Sequence, residues 1–216
     1  MDIDREALIE AVALELKRQS QCEPQIPWAL SARHLHLAAA DFEILFGPGA
    51  TLTPWKPLSQ PGQFAAEEKV ALVSPSLRTI EGVRILGPLR SHSQVELSAT
   101  DARSLAMDPP LRESGVIGLS APVTIVGPAG SVSLREGCII ARRHIHFTPA
   151  EAERFGVGDN QVVSVLVEGP RGGVLGEVLC RVSPRFALEL HVDTDEANAL
   201  GMRPGTIVRL KRGERG

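Results

Sequence analysis

Apolar and polar positions alternate in two distinct ways along this chain. Near the start, Leu8, Ile9, Val12 and Leu16 recur at helical spacing, with Asp2, Asp4 and Glu6 before them and Lys17 and Arg18 after. Acidic residues first and basic residues last complement a helix dipole, so the pattern predicts an amphipathic helix over residues 3–19. Pro24 and Pro27 then break it, leaving residues 21–25 as a linker. From about Leu30 onward, short apolar or alternating runs are punctuated by Gly87-Pro88, Gly127-Pro128 and Gly169-Pro170, the mark of a mainly β chain. Predicted strands are 70–73, 83–86, 95–97, 123–126, 138–141, 162–167, 174–182 and 207–210. Two short helices are predicted, over 38–46 and 149–155.

Both short helices follow a histidine pair, and this exposes an internal repeat. Arg33-His34-Leu35-His36-Leu37 with Ala40-Asp41-Phe42-Glu43 reappears 110 residues on as Arg143-His144-Ile145-His146-Phe147 with Ala150-Glu151-Ala152-Glu153. A weaker match sets Val95-Glu96-Leu97 and Leu105-Ala106-Met107 beside Leu190-His191-Val192 and Leu200-Gly201-Met202, which puts Glu96 and His191 in equivalent places. Two related halves follow.

Composition narrows the setting. The chain has 216 residues, 43% of them hydrophobic, and a formal charge of −3. That is ample material for a core, and it argues against a protein that works by neutralising nucleic-acid phosphates. No run is apolar enough to span a bilayer as a helix. Cys22, Cys138 and Cys180 are scattered without metal or disulfide spacing, which points to a reducing compartment. The acidic start lacks the form of a secretory signal.

On a strand, residues i and i+2 share a face, so each His-x-His sets two imidazoles side by side within reach of one ion. Four of the six histidines lie in these pairs. The alternative is a set of hydrogen-bonded core or surface histidines. The metal reading gives two three-ligand sets, His34, His36 and Glu96, and His144, His146 and His191. Three N or O ligands leave an open coordination position, and zinc is the expected ion, although iron, cobalt and manganese also suit such ligands. Arg90 is either an anion clamp or a solvated strand-end charge. The polar, turn-rich run Pro57–Glu68 reads as a loop or lid, and Ser114-Gly115 as an oxyanion contact or a turn. His92 has no partner at metal spacing.

Several longer motifs occur together: Ser31-Ala32-Arg33-His34-Leu35-His36, the stretch from Phe46-Gly47-Pro48-Gly49 to Gln60-Pro61-Gly62-Gln63-Phe64-Ala65, Arg84-Ile85-Leu86-Gly87-Pro88, Ala141-Arg142-Arg143-His144-Ile145-His146 and Asp193-Thr194-Asp195-Glu196-Ala197-Asn198. In that order they resemble the phosphate propanoyltransferase family of the propanediol-utilisation type, over about residues 26–210. The resemblance implies an enzyme that interconverts short acyl-CoA, such as propanoyl- or acetyl-CoA, and phosphate with acyl phosphate and CoA. It implies two β-barrels with short capping helices, one from residues 26–33 and 142–210, the other from 34–141 with a lid-like insertion at 48–68, and a 211–216 tail. It also implies two metal ions, zinc as a rule, on the two ligand sets, with CoA sulfur as a partner of the first. Arg90 becomes the catalytic phosphate clamp, and Ser31, Gln63, Ser114, Arg181 and Asn198 become substrate-binding positions. A homodimer is implied, as is an N-terminal helix at 1–20 that directs the enzyme into a bacterial microcompartment through shell or cargo proteins. The bland counterpart of that helix is one docked on the body of a cytoplasmic enzyme. A metal-dependent thioester or acyl-phosphate hydrolase, or a non-catalytic metal-binding barrel, are the other functions these residues allow.

Overall fold

The computed structural model describes Ile9, Glu10, Val12 and residues 24–211. Those first three residues are helical and exposed; the rest of the helix expected over 3–19 lies outside the described residues, as do most of the linker and the tail. In chain order the elements are β1 (Trp28–Ser31), β2 (His34–His36), α1 (Ala39–Phe46), β3 (Pro54–Pro57), β4 (Phe64–Val73), β5 (Thr79–Gly87), β6 (Gln94–Leu97), α2 (Ala99–Ser104), β7 (Leu111–Arg112), β8 (Ala121–Val126), β9 (Ser131–Ala141), β10 (His144–Phe147), α3 (Pro149–Phe155), β11 (Val162–Val167), β12 (Gly173–Val182), β13 (Glu189–Asp193), α4 (Thr194–Ala199) and β14 (Val208–Leu210). The chain is mainly β, as its alternating pattern requires.

Two sheets form. Strands β4, β5, β2, β6, β9 and β8 pair in a ring that closes where β8 meets β4, with β3 and β7 attached outside the ring. The other sheet runs β1-β13-β10-β12-β11-β14 and curls so that the Ile26 N–H donates to Val208 O at 2.8 Å, bringing its two edges together. Closure and curling leave few unpaired edges.

The sequence repeat has a structural counterpart strand by strand. In one half β2 lies parallel to β5 and antiparallel to β6, which lies parallel to β9; in the other β10 lies parallel to β12 and antiparallel to β13, which lies parallel to β1. Side-chain contacts repeat too. Arg33 pairs with Asp101 on α2, and Arg143 pairs with Glu196 on α4 at 2.8 Å. Each pair ties the arginine before a histidine pair to the helix after the strand that carries the third ligand.

Alternation explains the two cores. Leu35 and Leu37 face inward opposite to His34 and His36, and pack with Phe42, Leu45, Leu97 and Leu105. Ile145 and Phe147 do the same in the other half, with Phe155, Val165, Leu190 and Val192. Helix α3 begins with a reciprocal capping box between Thr148 and Glu151 and Pro149 in its first turn, and stops at left-handed Gly156. These satisfied ends hold a seven-residue helix that would be marginal alone.

Two regions differ from the pattern reading. The run expected as a loop from Pro57 to Glu68 is a turn only over 58–63: Phe64 opens the long strand β4, and Pro54–Pro57 pairs with it as β3. The prolines of β3 are tolerated because it is an edge strand. Helices α2 and α4, six residues each and so shorter than two turns, were not anticipated.

Candidate functional site

The cross-strand register assembles both ligand sets. His34 lies opposite Glu96 and His36 opposite Gln94 across β2 and β6. His144 lies opposite His191 and His146 opposite Glu189 across β10 and β13. Side chains directly opposite on one face stand close enough to touch. In each set, His34-His36-Glu96 and His144-His146-His191, the three candidate ligand atoms lie within 4.8 Å of one another.

The rings are oriented for metal binding. His34 Nδ1 faces Ala32 O at 2.8 Å and His144 Nδ1 faces Arg142 O at 2.9 Å, the same device in both halves, while His36 Nδ1 faces Leu86 O at 3.2 Å. A carbonyl at Nδ1 selects the tautomer that leaves the Nε2 lone pair free. His146 Nδ1 is buried without a hydrogen-bond partner, which is costly unless another ligand serves it. The donor sets therefore fit divalent ions such as zinc.

Electrostatics keep four of the ligands, His36, Glu96, His144 and His146, in their metal-binding forms. Burial lowers the pKa of His36 to about 3, with the charges of His34 and Arg90 adding to the effect. His144 falls to about 4 and His146 to about 2, again through burial first and neighbouring imidazoles second. Burial alone would raise Glu96, but His34, His36 and the Ser114 hydroxyl outweigh it and hold the carboxyl at about 2. At neutral pH His36, His144 and His146 are neutral and the Glu96 carboxylate is ionised.

Both sets open into one cavity of about 570 Å³ between the sheets. Of the expected substrate-binding positions, Ser31, Gln63, Ser114 and Arg181 line it, and so does Arg90. Arg90 is not a solvated strand-end charge: burial and the nearby Arg181 lower its pKa, and only Glu96 counters them. Two guanidiniums in one enclosed space make a strong site for a dianion. Leu30, Leu58, Leu86 and Phe186 supply apolar wall, the last with its ring stacked on His146 at 4.1 Å.

Asn198 is outside this cavity. It sits exposed near the end of α4, where its backbone carbonyl accepts from Gly201 N–H. Of the two readings of Ser114-Gly115, the structure shows the turn, in which the Val116 N–H donates to Glu113 O at 2.9 Å. The Ser114 hydroxyl donates to Glu96 Oε1 at 2.6 Å and the Gly115 N–H donates to Gln94 Oε1 at 2.7 Å, so both donors are already committed.

Four residues at the site went unread in the sequence. Gln94, 1% exposed, donates to Glu96 Oε1 at 2.5 Å. Glu189 Oε2 lies 3.1 Å from His191 Nε2 and accepts from the Ser59 hydroxyl. Gln60, in the turn between β3 and β4, grips the backbone of Ala187, donating to its carbonyl at 3.0 Å and accepting from its N–H at 3.2 Å. Phe186 completes the wall. The signal for Gln94 and Glu189 was present, since each precedes a ligand by two positions on its strand.

A family model for phosphate propanoyltransferase matches residues 27–203. The chain belongs to that family. A phosphate propanoyltransferase of Lachnoclostridium phytofermentans is 51% identical over 197 residues, which cover 91% of this chain and 92% of the relative. One from Rhodobacter capsulatus is 44% identical over 212 residues, 96% and 98% of the two chains. One from Thermotoga maritima is 50% identical over 189 residues, 87% and 90%. Membership makes the chain an enzyme of the transferase class. No helix among the described residues is long and apolar enough to cross a membrane.

Proposed function

We propose that the chain is a phosphate acyltransferase that interconverts short-chain acyl-CoA, propanoyl- or acetyl-CoA, and phosphate with acyl phosphate and CoA. The observation that carries this reading is the shared cavity, in which two three-donor ligand sets face Arg90 and Arg181.

Phosphate enters as a dianion, and the planar Arg90 guanidinium can hold two of its oxygens at once. Arg181 adds a second charge from the opposite sheet. Low local dielectric makes both contacts stronger than they would be in water. Zinc held by His34, His36 and Glu96, and by His144, His146 and His191, would supply Lewis acidity toward the acyl carbonyl, the CoA sulfur and phosphate. A phosphate oxygen attacks the thioester carbon; the new C–O bond replaces C–S, and the bond pair leaves with sulfur. Positioning turns this into an effectively unimolecular step.

Direct transfer is favoured because, among the described residues, no thiol lines the cavity and its Ser59 and Ser114 hydroxyls already donate. The hydroxyl protons of Ser59 and Ser114 go to Glu189 and Glu96. Burial pushes the Cys138 thiol up to about 12 and Cys180 to about 11, and neither lines the cavity. On the same reading the enzyme is a homodimer, residues 48–68 cover the site, and residues 1–20 direct it to a bacterial microcompartment, with the cytoplasm as the alternative. The family resemblance supports these points.

The test is release of CoA from propanoyl-CoA by zinc-loaded protein with and without phosphate. Release that requires phosphate is expected. Release in its absence would make the protein a hydrolase, and no release in either condition would overturn the proposal.

A further inference from the structure

Glu96 is buried away from solvent, so its two oxygens must find partners within the protein. Their shares are unequal. Oε1 accepts from Gln94 Nε2 at 2.5 Å and from Ser114 Oγ at 2.6 Å, which occupies both of its lone-pair directions. Oε2 instead faces the histidine pair, 3.5 Å from His34 Nε2.

The donors are themselves held. Gln94 Oε1 accepts the Gly115 N–H at 2.7 Å, which fixes the amide so that its NH2 group points at Glu96. Ser114 Oγ accepts from Gln94 Nε2 at 3.0 Å and lies 3.5 Å from Arg90 Nη1, so its single hydrogen is left for Glu96. Every polar atom of Gln94 is thus used on one task.

We propose that Gln94 and Ser114 are positioning residues that confine Glu96 to one ligating oxygen, keeping a coordination position of the first metal open for substrate. The inference rests on the metal-assisted reading above. A carboxylate free on both oxygens can bind an ion through both and so fill the position that substrate needs. With Oε1 saturated, only Oε2 is available.

The repeat supplies independent support. Gln94 lies opposite His36, and its equivalent Glu189 lies opposite His146, each two residues before a third ligand. The chemistry of the pair is inverted. A carboxylate ligand is met by an amide donor and a serine hydroxyl, whereas His191 is met by a carboxylate that a different serine, Ser59, holds in place. Such complementarity to the ligand is what outer partners of metal ligands provide.

The experiment compares full-length wild type with Ser114→Ala, Ser114→Thr and Gln94→Leu, loaded with zinc in competition with a chelator and, separately, with cobalt(II). Wild type is expected to bind two ions; fewer than two would defeat the metal-assisted reading itself. Ser114→Ala and Gln94→Leu are expected to weaken one site about 10- to 100-fold and leave the other unchanged. The visible cobalt bands of that site should lose intensity as its coordination number rises, and Ser114→Thr, which keeps the hydroxyl, should restore affinity and spectrum. Should Gln94→Leu fail to fold, Ser114→Ala decides alone. Unchanged affinities and spectra in Ser114→Ala, or an equal loss at both sites, would overturn the inference while leaving the two-metal reading intact.

Discussion

Removing the metals should make this protein unusually sensitive to mild acid. His36, His144 and His146 are held at about 3, 4 and 2 in the folded chain, against about 6.5 when unfolded. A depressed imidazole pKa stabilises the fold fully above about 6.5, and that contribution is lost as pH falls toward the folded values. Between pH 7 and pH 5 the unfolded state gains a proton at each histidine while the folded state gains none. The linkage integral is about 2 kcal/mol per histidine, on the order of 6 kcal/mol for the three. Domains of this size are stable by roughly 5–15 kcal/mol, so the loss is a large part of the total. Glu96, held at about 2, contributes above its unfolded value near 4.5 and does not change in this window, so the imidazoles are isolated. Urea unfolding followed by circular dichroism, at pH 7 and pH 5 with and without zinc, measures the effect. The metal-free protein should lose several kcal/mol between pH 7 and pH 5, and zinc, which binds the folded ligands, should add stability at both pH values. A metal-free loss below about 2 kcal/mol would refute the reasoning, because it would mean that the imidazoles are not held neutral by the fold.

Three other perturbations follow from named contacts. Arg90→Lys keeps the charge and removes the planar fork, so kcat/KM for phosphate should fall about 10- to 100-fold in the coupled CoA-release assay, or 1.4 to 3 kcal/mol in about that range; an unchanged value would dismiss Arg90 as the clamp. Phe147→Ala empties a fully buried site and should cost about 3–5 kcal/mol in urea unfolding, whereas Thr148→Ala, next to it, removes one half of a capping box and should cost only about 1 kcal/mol. Gly87→Ala would set a methyl group 2.3 Å from the Phe64 ring, and a lowered melting temperature should be relieved by Phe64→Leu in the double variant.

Periodicity carried the fold reading where runs were long. Val162–Val167 and the strand through Val182 were legible because apolar β-branched residues are bounded by glycine and proline. Strand β4 was legible only in its second half. Its first residues, Phe64 to Glu68, show no alternation because the strand is bulged there, with its register to β5 shifting between Ala65 and Lys69. The six-residue helices α2 and α4 lack two full turns, so helical spacing has nothing to repeat over. Their capping residues, Ser98 and Asp193, were the available signal.

At the site, the metal ligands were legible for a reason that does not extend to their neighbours. His34 and His36, or His144 and His146, are placed by strand alternation alone, and the repeat then brings Glu96 and His191 to them through an antiparallel register. Alternation also puts Gln94 and Glu189 on the ligand face, two positions before each third ligand, but the repeat sets an amide against a carboxylate there, so no shared ligand type singles them out. Their meaning depends on Ser114 and Ser59, which arrive from turns that only tertiary structure positions. Ser114 was therefore legible as a cavity residue but its partner was not: beside a glycine it reads as an oxyanion contact or a turn, and only the 2.6 Å bond to Glu96 shows where its hydrogen goes. Asn198 lies exposed on α4 and does not line this cavity. It belongs to a long matching motif in which Asp193 caps α4 and Glu196 anchors Arg143 beside His144. Through these two contacts the motif holds the end of the strand that carries His144 and His146, a role that tertiary structure alone reveals.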